Sequence, residues 1–209
     1  MIIPLKEKDK IKILCGRHLF SIMQKILLRE NVIDRNREHF WTVSLDNALR
    51  ILNIELISMG TVKATLVEPM EVFSVPLQKR AVYIILVHNH PSQEVHPSKA
   101  DKDITDRLIQ VGNIMRVPVI DHLIITEKQY YSFRDDGLME ILKASIKYLP
   151  PFEIEERYKR EARLIGEKKG KDKRSKEIAR ELKRNGVDIN IIEKSTGLSP
   201  ASIKRLKTD

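Results

Sequence analysis

The amino-acid sequence predicts an α/β (α+β) fold with a helical C-terminal extension. Between residues 18 and 133, β-prone runs alternate with segments of helical periodicity. One of those runs, Ala81-Val-Tyr-Ile-Ile-Leu-Val87, is apolar at every position, the signature of a strand buried on both faces. From Glu153 onward the chain turns rich in lysine and glutamate, with aliphatic residues sparse until Ile178, the pattern of a long exposed helix.

The elements follow in order. Residues 18–30 place Leu19, Ile22, Ile26 and Leu27 at helical spacing, so a short helix opens the chain. Phe40 to Leu45 and Ile51 to Ile57 read as strands on either side of an Asp46-Asn47 turn, a hairpin, and Gly60 to Val67 reads as a third strand. Pro69 to Leu77 forms a helix with proline in its first turn, where a missing N–H costs nothing. The apolar run Ala81–Val87 follows, then a loop, then a helix over Ser98 to Arg116 with Ile104, Leu108, Val111 and Met115 on one face. Val119 to Ile125 and Tyr130 to Phe133 complete the strands. Residues 175–206 offer three short helices, with Gly186 and Gly197 at C-terminal caps, Ser199 at an N-cap and Pro200 in the next first position. That is the outline of a small helix-turn-helix.

Composition narrows the function classes. A chain of 209 residues, 42% hydrophobic and 32% charged, has room for one domain with a sizeable core and a small appendage. No run approaches the roughly 20 apolar residues that span a bilayer, and the start MIIPLKEKDK lacks the apolar core of a signal peptide; a cytoplasmic protein that makes no membrane contact is expected. The one cysteine, Cys15, excludes an internal disulfide and a thiolate-rich zinc cage, so a metal site must use His, Asp or Glu. Of the net charge of +9, two thirds lies beyond residue 150, where 17 basic residues face 11 acidic ones. Such a tail suits contact with DNA or another polyanion, and equally a solvated helix.

The chemistry is concentrated after the apolar strand, in His88-Asn-His90. Side chains at i and i+2 of a strand share a face, so both imidazoles can reach one ion. Catalytic zinc sites use three protein ligands and leave the fourth position to water. Asp101 is the natural third ligand, because the loop from His90 returns to a helix whose first turn it occupies. Ser98-Lys-Ala-Asp101 also reads as a helix-capping pattern, worth about 1 kcal/mol.

Taken together, His88-Asn-His90-Pro91-Ser92 and Pro97-Ser98-Lys-Ala-Asp101 resemble the JAMM motif H-x-H-x7-S-x2-D in the form found in the RadC family. The resemblance extends through Glu38-His-Phe40, Ile57 to Thr61, Val67 to Phe73, Asp121 to Ile125 and Tyr131-Ser-Phe133. It implies a JAB1/MPN-type domain, a mixed sheet flanked by helices, with zinc (Zn2+) held by His88, His90 and Asp101. It further implies Glu38 as general base and Ser98 as a stabiliser of the developing oxyanion. Glu71 is the rival base, less suited because surface glutamates inside helices are ordinary. His96 is expected in solvent, and His18, His39 and His122 in packing or surface roles. A structural hydrogen bond accounts for Asp121-His122.

The sequence departs from the RadC pattern at three places: Gln93 stands where glycine is expected, Met70 where arginine is common, and a basic C-terminal extension is added. The usual N-terminal helix-hairpin-helix region is not expected in this sequence. The organisation expected is an N-terminal helical segment over 1–29, the RadC-like domain over 30–148, a charged helical linker over 149–174 and a helix-turn-helix-like module over 175–209. The function expected is a zinc metallopeptidase acting on a protein or peptide substrate. The alternative is a DNA-associated, repair-related protein in which the domain is a nuclease or scaffold and the basic tail binds DNA.

Overall fold

The computed structural model describes residues 1–4, 11–60 and 67–207. It divides into two compact units, Met1–Leu149 and Pro150–Asp209.

The first unit is a mixed sheet with helices on both faces. Its elements are β1 (Ile2–Ile3), α1 (Gly16–Leu27), α2 (Val32–Arg35), β2 (His39–Leu45), β3 (Ile51–Met59), α3 (Pro69–Gln78), β4 (Tyr83–Asn89), α4 (Lys99–Ile114), β5 (Val119–Ile125), β6 (Tyr130–Ser132) and α5 (Leu138–Lys143). The strand order is β1-β3-β2-β4-β5-β6. Neighbours are antiparallel except β4 and β5, which run parallel. A parallel pair needs a long crossover, and α4 supplies it.

The central position of β4 explains its apolar run. Ile85 and Val87 enter the core beneath α1, with Leu19, Met23 and Trp41. Ile84 and Leu86 enter the opposite core, with Phe73 of α3 and Leu108 and Ile109 of α4. Each such side chain contributes roughly 1.5–3 kcal/mol on full burial. At Gly112 in α4 a Cβ would stand 2.8 Å from the Val117 carbonyl oxygen, so glycine lets the chain leaving α4 fold back against the helix.

Several expectations change. The strand predicted over 81–87 sits two residues later, so His88 and Asn89 are strand residues and His90 lies just beyond. The segment 1–29 is not a separate unit: β1 pairs with β3, and α1 buries Leu19, Ile22, Met23, Ile26 and Leu27. An apolar stripe of that width needs a sheet face to cover it. The elements β1, α2 and α5 were not anticipated, being too short to show a period. The strand expected over Gly60 to Val67 falls largely on residues 61–66, outside the described residues.

The second unit comprises α6 (Pro151–Arg184), α7 (Ile189–Thr196) and α8 (Pro200–Arg205). α6 runs unbroken through 174 and 175, so the expected linker and the first segment of the module are one helix. Ion pairs one turn apart, Lys159 with Glu155 at 2.8 Å and Arg163 with Glu167 at 2.9 Å, support it. Ala179, Ile192 and Ile203 form a small core among the three helices. Asp188 and Ser199 cap α7 and α8, and Gly197 makes the turn between them at φ 69°. Lys183 Nζ donates to the carbonyls of Ile203, Lys204 and Leu206 at the end of α8, where a cation complements the helix dipole. Among the described residues no helix is long and apolar enough to cross a membrane.

Candidate metal site

The C-terminal end of β4, the start of α4 and the entry to β2 meet at one point. Among the described residues, His88, His90 and Asp101 present ligand atoms that all lie within 4.8 Å of one another. His88 Nε2 lies 2.9 Å from His90 Nε2. Asp101 Oδ1 is 3.2 Å from His88 Nε2, and Oδ2 is 3.5 Å from His90 Nε2.

Local structure aims each group. His88 is buried near Phe40, the residue directly across the β2–β4 ladder, with ring centroids 6.2 Å apart. Asn89 turns to the other side, accepting from the His39 backbone N–H at 2.7 Å and donating to the Arg37 carbonyl at 3.0 Å. This ties β4 to the entry of β2. His90 Nδ1 lies 2.8 Å from the Glu94 carbonyl oxygen; a carbonyl only accepts, so Nδ1 carries the hydrogen and Nε2 is left with a bare lone pair. Asp101 belongs to a complete capping box: its backbone N–H donates to Ser98 Oγ at 3.1 Å, and its Oδ2 accepts from the Ser98 N–H at 2.7 Å. The capping reading and the ligand reading hold at once, since one carboxylate does both.

Burial pushes the His88 imidazole below its ordinary range, although the Asp101 carboxylate opposes it. Burial also acts to lower His90, but Asp101 and the Glu94 carbonyl, which favour the protonated ring, outweigh it and raise the group. Burial would raise Asp101; the neighbouring His88 and His90 imidazoles overcome it and hold the carboxyl far below the usual carboxylate range. The donor set is therefore an anion beside two imidazoles.

That set fits a metal ion. The three separations are close to the edge of about 3.3 Å that a tetrahedron with bonds of about 2.0 Å requires. At least one bare imidazole lone pair and a carboxylate converge, and only a cation, a proton or a metal ion, relieves their mutual repulsion.

Glu38 precedes β2 and is half-buried. Burial raises its carboxyl above the ordinary range, the Asp101 charge adds to this and His90 opposes it, so the group senses both. Ser98 Oγ uses a lone pair on the Asp101 N–H, which leaves its hydroxyl hydrogen uncommitted by that bond. Glu71 is exposed in the first turn of α3 and is not brought into this cluster. His96 is exposed, and His39 stacks on Trp41 at 5.1 Å.

A packing or surface role is the expectation for His122; it is buried, and its surroundings add more. Its ring is fully buried, with Nε2 2.8 Å from His88 Nδ1 and Nδ1 2.6 Å from Thr105 Oγ1. The Thr105 hydroxyl also donates to the Asp101 carbonyl. The signal available in the sequence was a histidine leading directly into the apolar run Leu123–Ile125. Asp121 has the expected structural role, accepting from the His122 and Arg134 backbone N–H groups and from Ser132 Oγ.

Comparison with known proteins agrees with this architecture. Residues 21–138 match the family described as RadC-like JAB domain. The chain is 40% identical over 127 residues to a UPF0758 protein of Flavobacterium johnsoniae, covering 61% of this chain and 53% of that protein. It is 39% identical over 128 residues to a UPF0758 protein of Pelodictyon phaeoclathratiforme, covering 61% and 55%. A UPF0758 protein of Desulforamulus reducens is 40% identical over 113 residues, covering 54% and 50%. The chain thus spans about half the length of the curated relatives it matches. With more than half of its residues in the family match and a His-His-Asp group that can bind a metal at the end of its central strand, the chain belongs to the RadC-like JAB domain family.

Proposed function

We propose that this site holds zinc and that the domain hydrolyses peptide or isopeptide bonds. The convergence of His88 Nε2, His90 Nε2 and the Asp101 carboxylate, with the raised carboxyl of Glu38 beside them, carries the reading. Bound zinc supplies a Lewis acid that polarises an amide carbonyl and makes water acidic near neutral pH. Glu38 takes a proton from the attacking water as the C–O bond forms, and delivers it to the leaving nitrogen as the C–N bond breaks. A carboxylate of raised basicity suits both transfers. The Ser98 hydroxyl donates to the carbonyl oxygen as charge develops there. Asp101 and His90 stay fixed through these steps, because the capping box and the Glu94 carbonyl hold them.

Elemental analysis of the full chain beside His88→Ala and Asp101→Ala tests the site. About one zinc per chain in the wild type, lost in both variants while they remain folded, is the expected result. Internally quenched peptides and isopeptide-linked peptides then test the reaction, with Glu38→Gln as the inactive control. Wild-type protein that takes up no supplied zinc, or cleavage indifferent to Glu38→Gln, overturns the reading.

The second unit supports a separate reading, contact with duplex DNA. Its helix-turn-helix leaves Ala201, Ser202, Lys204 and Arg205 of α8 exposed while Ile203 anchors the helix, the disposition of a helix that enters a groove. Fluorescence anisotropy of the full chain on a labelled duplex, followed against salt, tests it. Affinity that falls steeply with salt, with a shallower slope in Lys204→Glu/Arg205→Glu, is expected, because the slope counts neutralised phosphates. Identical weak binding by both proteins removes the reading.

A further inference from the structure

We propose that Thr105 and His122 are positioning residues that lock His88 in the one tautomer able to coordinate a metal. The inference rests on the reading of His88 as a ligand, and extends it to two residues that touch no metal.

A threonine hydroxyl has one hydrogen to give, and Thr105 gives it to the Asp101 carbonyl. Its oxygen can then only accept from His122 Nδ1, 2.6 Å away, so that nitrogen carries a hydrogen. Both ring nitrogens of His122 are engaged, by Thr105 and His88, and among the described residues no carboxylate bonds to either. The ring lies against Phe133 and Phe40, with centroids 4.7 and 5.7 Å away. Such walls favour the neutral imidazole. His122 Nε2 is therefore bare and accepts from His88 Nδ1, 2.8 Å away. His88 Nδ1 holds the hydrogen, and His88 Nε2 turns a lone pair toward Asp101 and His90.

The chain of hydrogen bonds starts at the Asp101 carbonyl and passes through Thr105 and His122 to His88, whose Nε2 lies 3.2 Å from the Asp101 carboxylate, across the place for an ion. Thr105 stands one turn after Asp101 in α4, so the helix that supplies one ligand also sets the tautomer of another. Partners of this kind orient ligating imidazoles, and their loss typically costs about 10- to 100-fold in metal affinity.

Three variants of the full chain separate this role from packing. Thr105→Val keeps the shape and removes the hydroxyl, Thr105→Ser keeps the hydroxyl, and His122→Phe fills the ring space without either nitrogen. Zinc affinity by chelator competition should fall about 10- to 100-fold in Thr105→Val and His122→Phe and stay close to wild type in Thr105→Ser. Imidazole 15N–1H spectra of the metal-free wild type should show His88 with its hydrogen on Nδ1, and a mixture of tautomers in Thr105→Val. If His122→Phe does not fold, Thr105→Val carries the test.

Wild-type affinity in folded Thr105→Val overturns the proposal, as does equal weakening in Thr105→Ser or a wild-type His88 with its hydrogen on Nε2. A wild type that binds no zinc defeats the metal reading, while the tautomer spectra still decide whether Thr105 and His122 hold His88.

Discussion

Glu38 and His90 each stand two residues beyond the Phe40–His88 pair of the β2–β4 ladder, at the same end of the sheet. Antiparallel pairing thus brings a carboxylate from the first half of the domain to the donor set. Glu38→Gln keeps the shape and removes the basicity. Turnover of a cleavable peptide should fall by about 10²- to 10⁴-fold with zinc content unchanged, whereas Glu71→Gln should leave turnover unaltered.

Metal affinity should depend on pH through His90. Its imidazole is raised above 6.5 by its partners, burial notwithstanding, so protons compete with a metal for Nε2 at correspondingly higher pH. Lowering the pH through that raised value protonates the ring, and the ion must displace the proton. Zinc titrations by calorimetry should show weaker binding at pH 6 than at pH 8, with proton release in buffers of differing ionisation enthalpy.

Gln93 occupies the left-handed region at φ 65°, at the position where the RadC pattern has glycine. A side chain costs roughly 1–2 kcal/mol there. Gln93→Gly removes that strain, partly offset by the extra freedom of glycine in the unfolded chain. Chemical denaturation should show a net gain of up to about 1 kcal/mol.

Gly112→Ala should act in the opposite sense. Alanine is favoured in helices by about 1 kcal/mol, but its Cβ would meet the Val117 carbonyl oxygen at 2.8 Å and the Phe73 ring at 3.3 Å. A backbone carbonyl cannot swing aside as a side chain can. Overpacking of this kind typically costs about 1–3 kcal/mol, and a lowered denaturation midpoint for the first unit is expected.

Among the described residues of the second unit, three are fully buried in its core, so one truncation should be decisive. Ile203→Ala removes a contact worth about 2–5 kcal/mol, a large share of what so small a unit can hold. Hydrogen exchange should lose its protection across residues 175–206 and keep it in β2, β4 and β5.

Much of this was legible in the sequence because strong local rules applied. Ala81–Val87 announced a central strand, since a strand covered on both faces has no polar side to show. Ser98 and Asp101 announced the start of α4 through their capping pattern, and the His-x-His spacing placed two imidazoles together. What escaped was three-dimensional. The two-residue offset of β4 depends on its register with β2, and α2 and α5 are too short for periodicity to register. His122 was the larger omission. A lone histidine in an apolar strand says that a partner exists, but not which one, and only the parallel pairing of β4 with β5 identifies it as His88.

Asp101 has both carboxylate oxygens and its carbonyl oxygen engaged, with His88, His90, the Ser98 N–H and Thr105. Asparagine would offer a single side-chain acceptor and set an amide against a donor. Glutamate would reach one carbon too far for the same box. Residue 101 therefore tolerates scarcely any change, and a substitution that removed the donor from the His88–His90 cluster would loosen the beginning of a helix along with it.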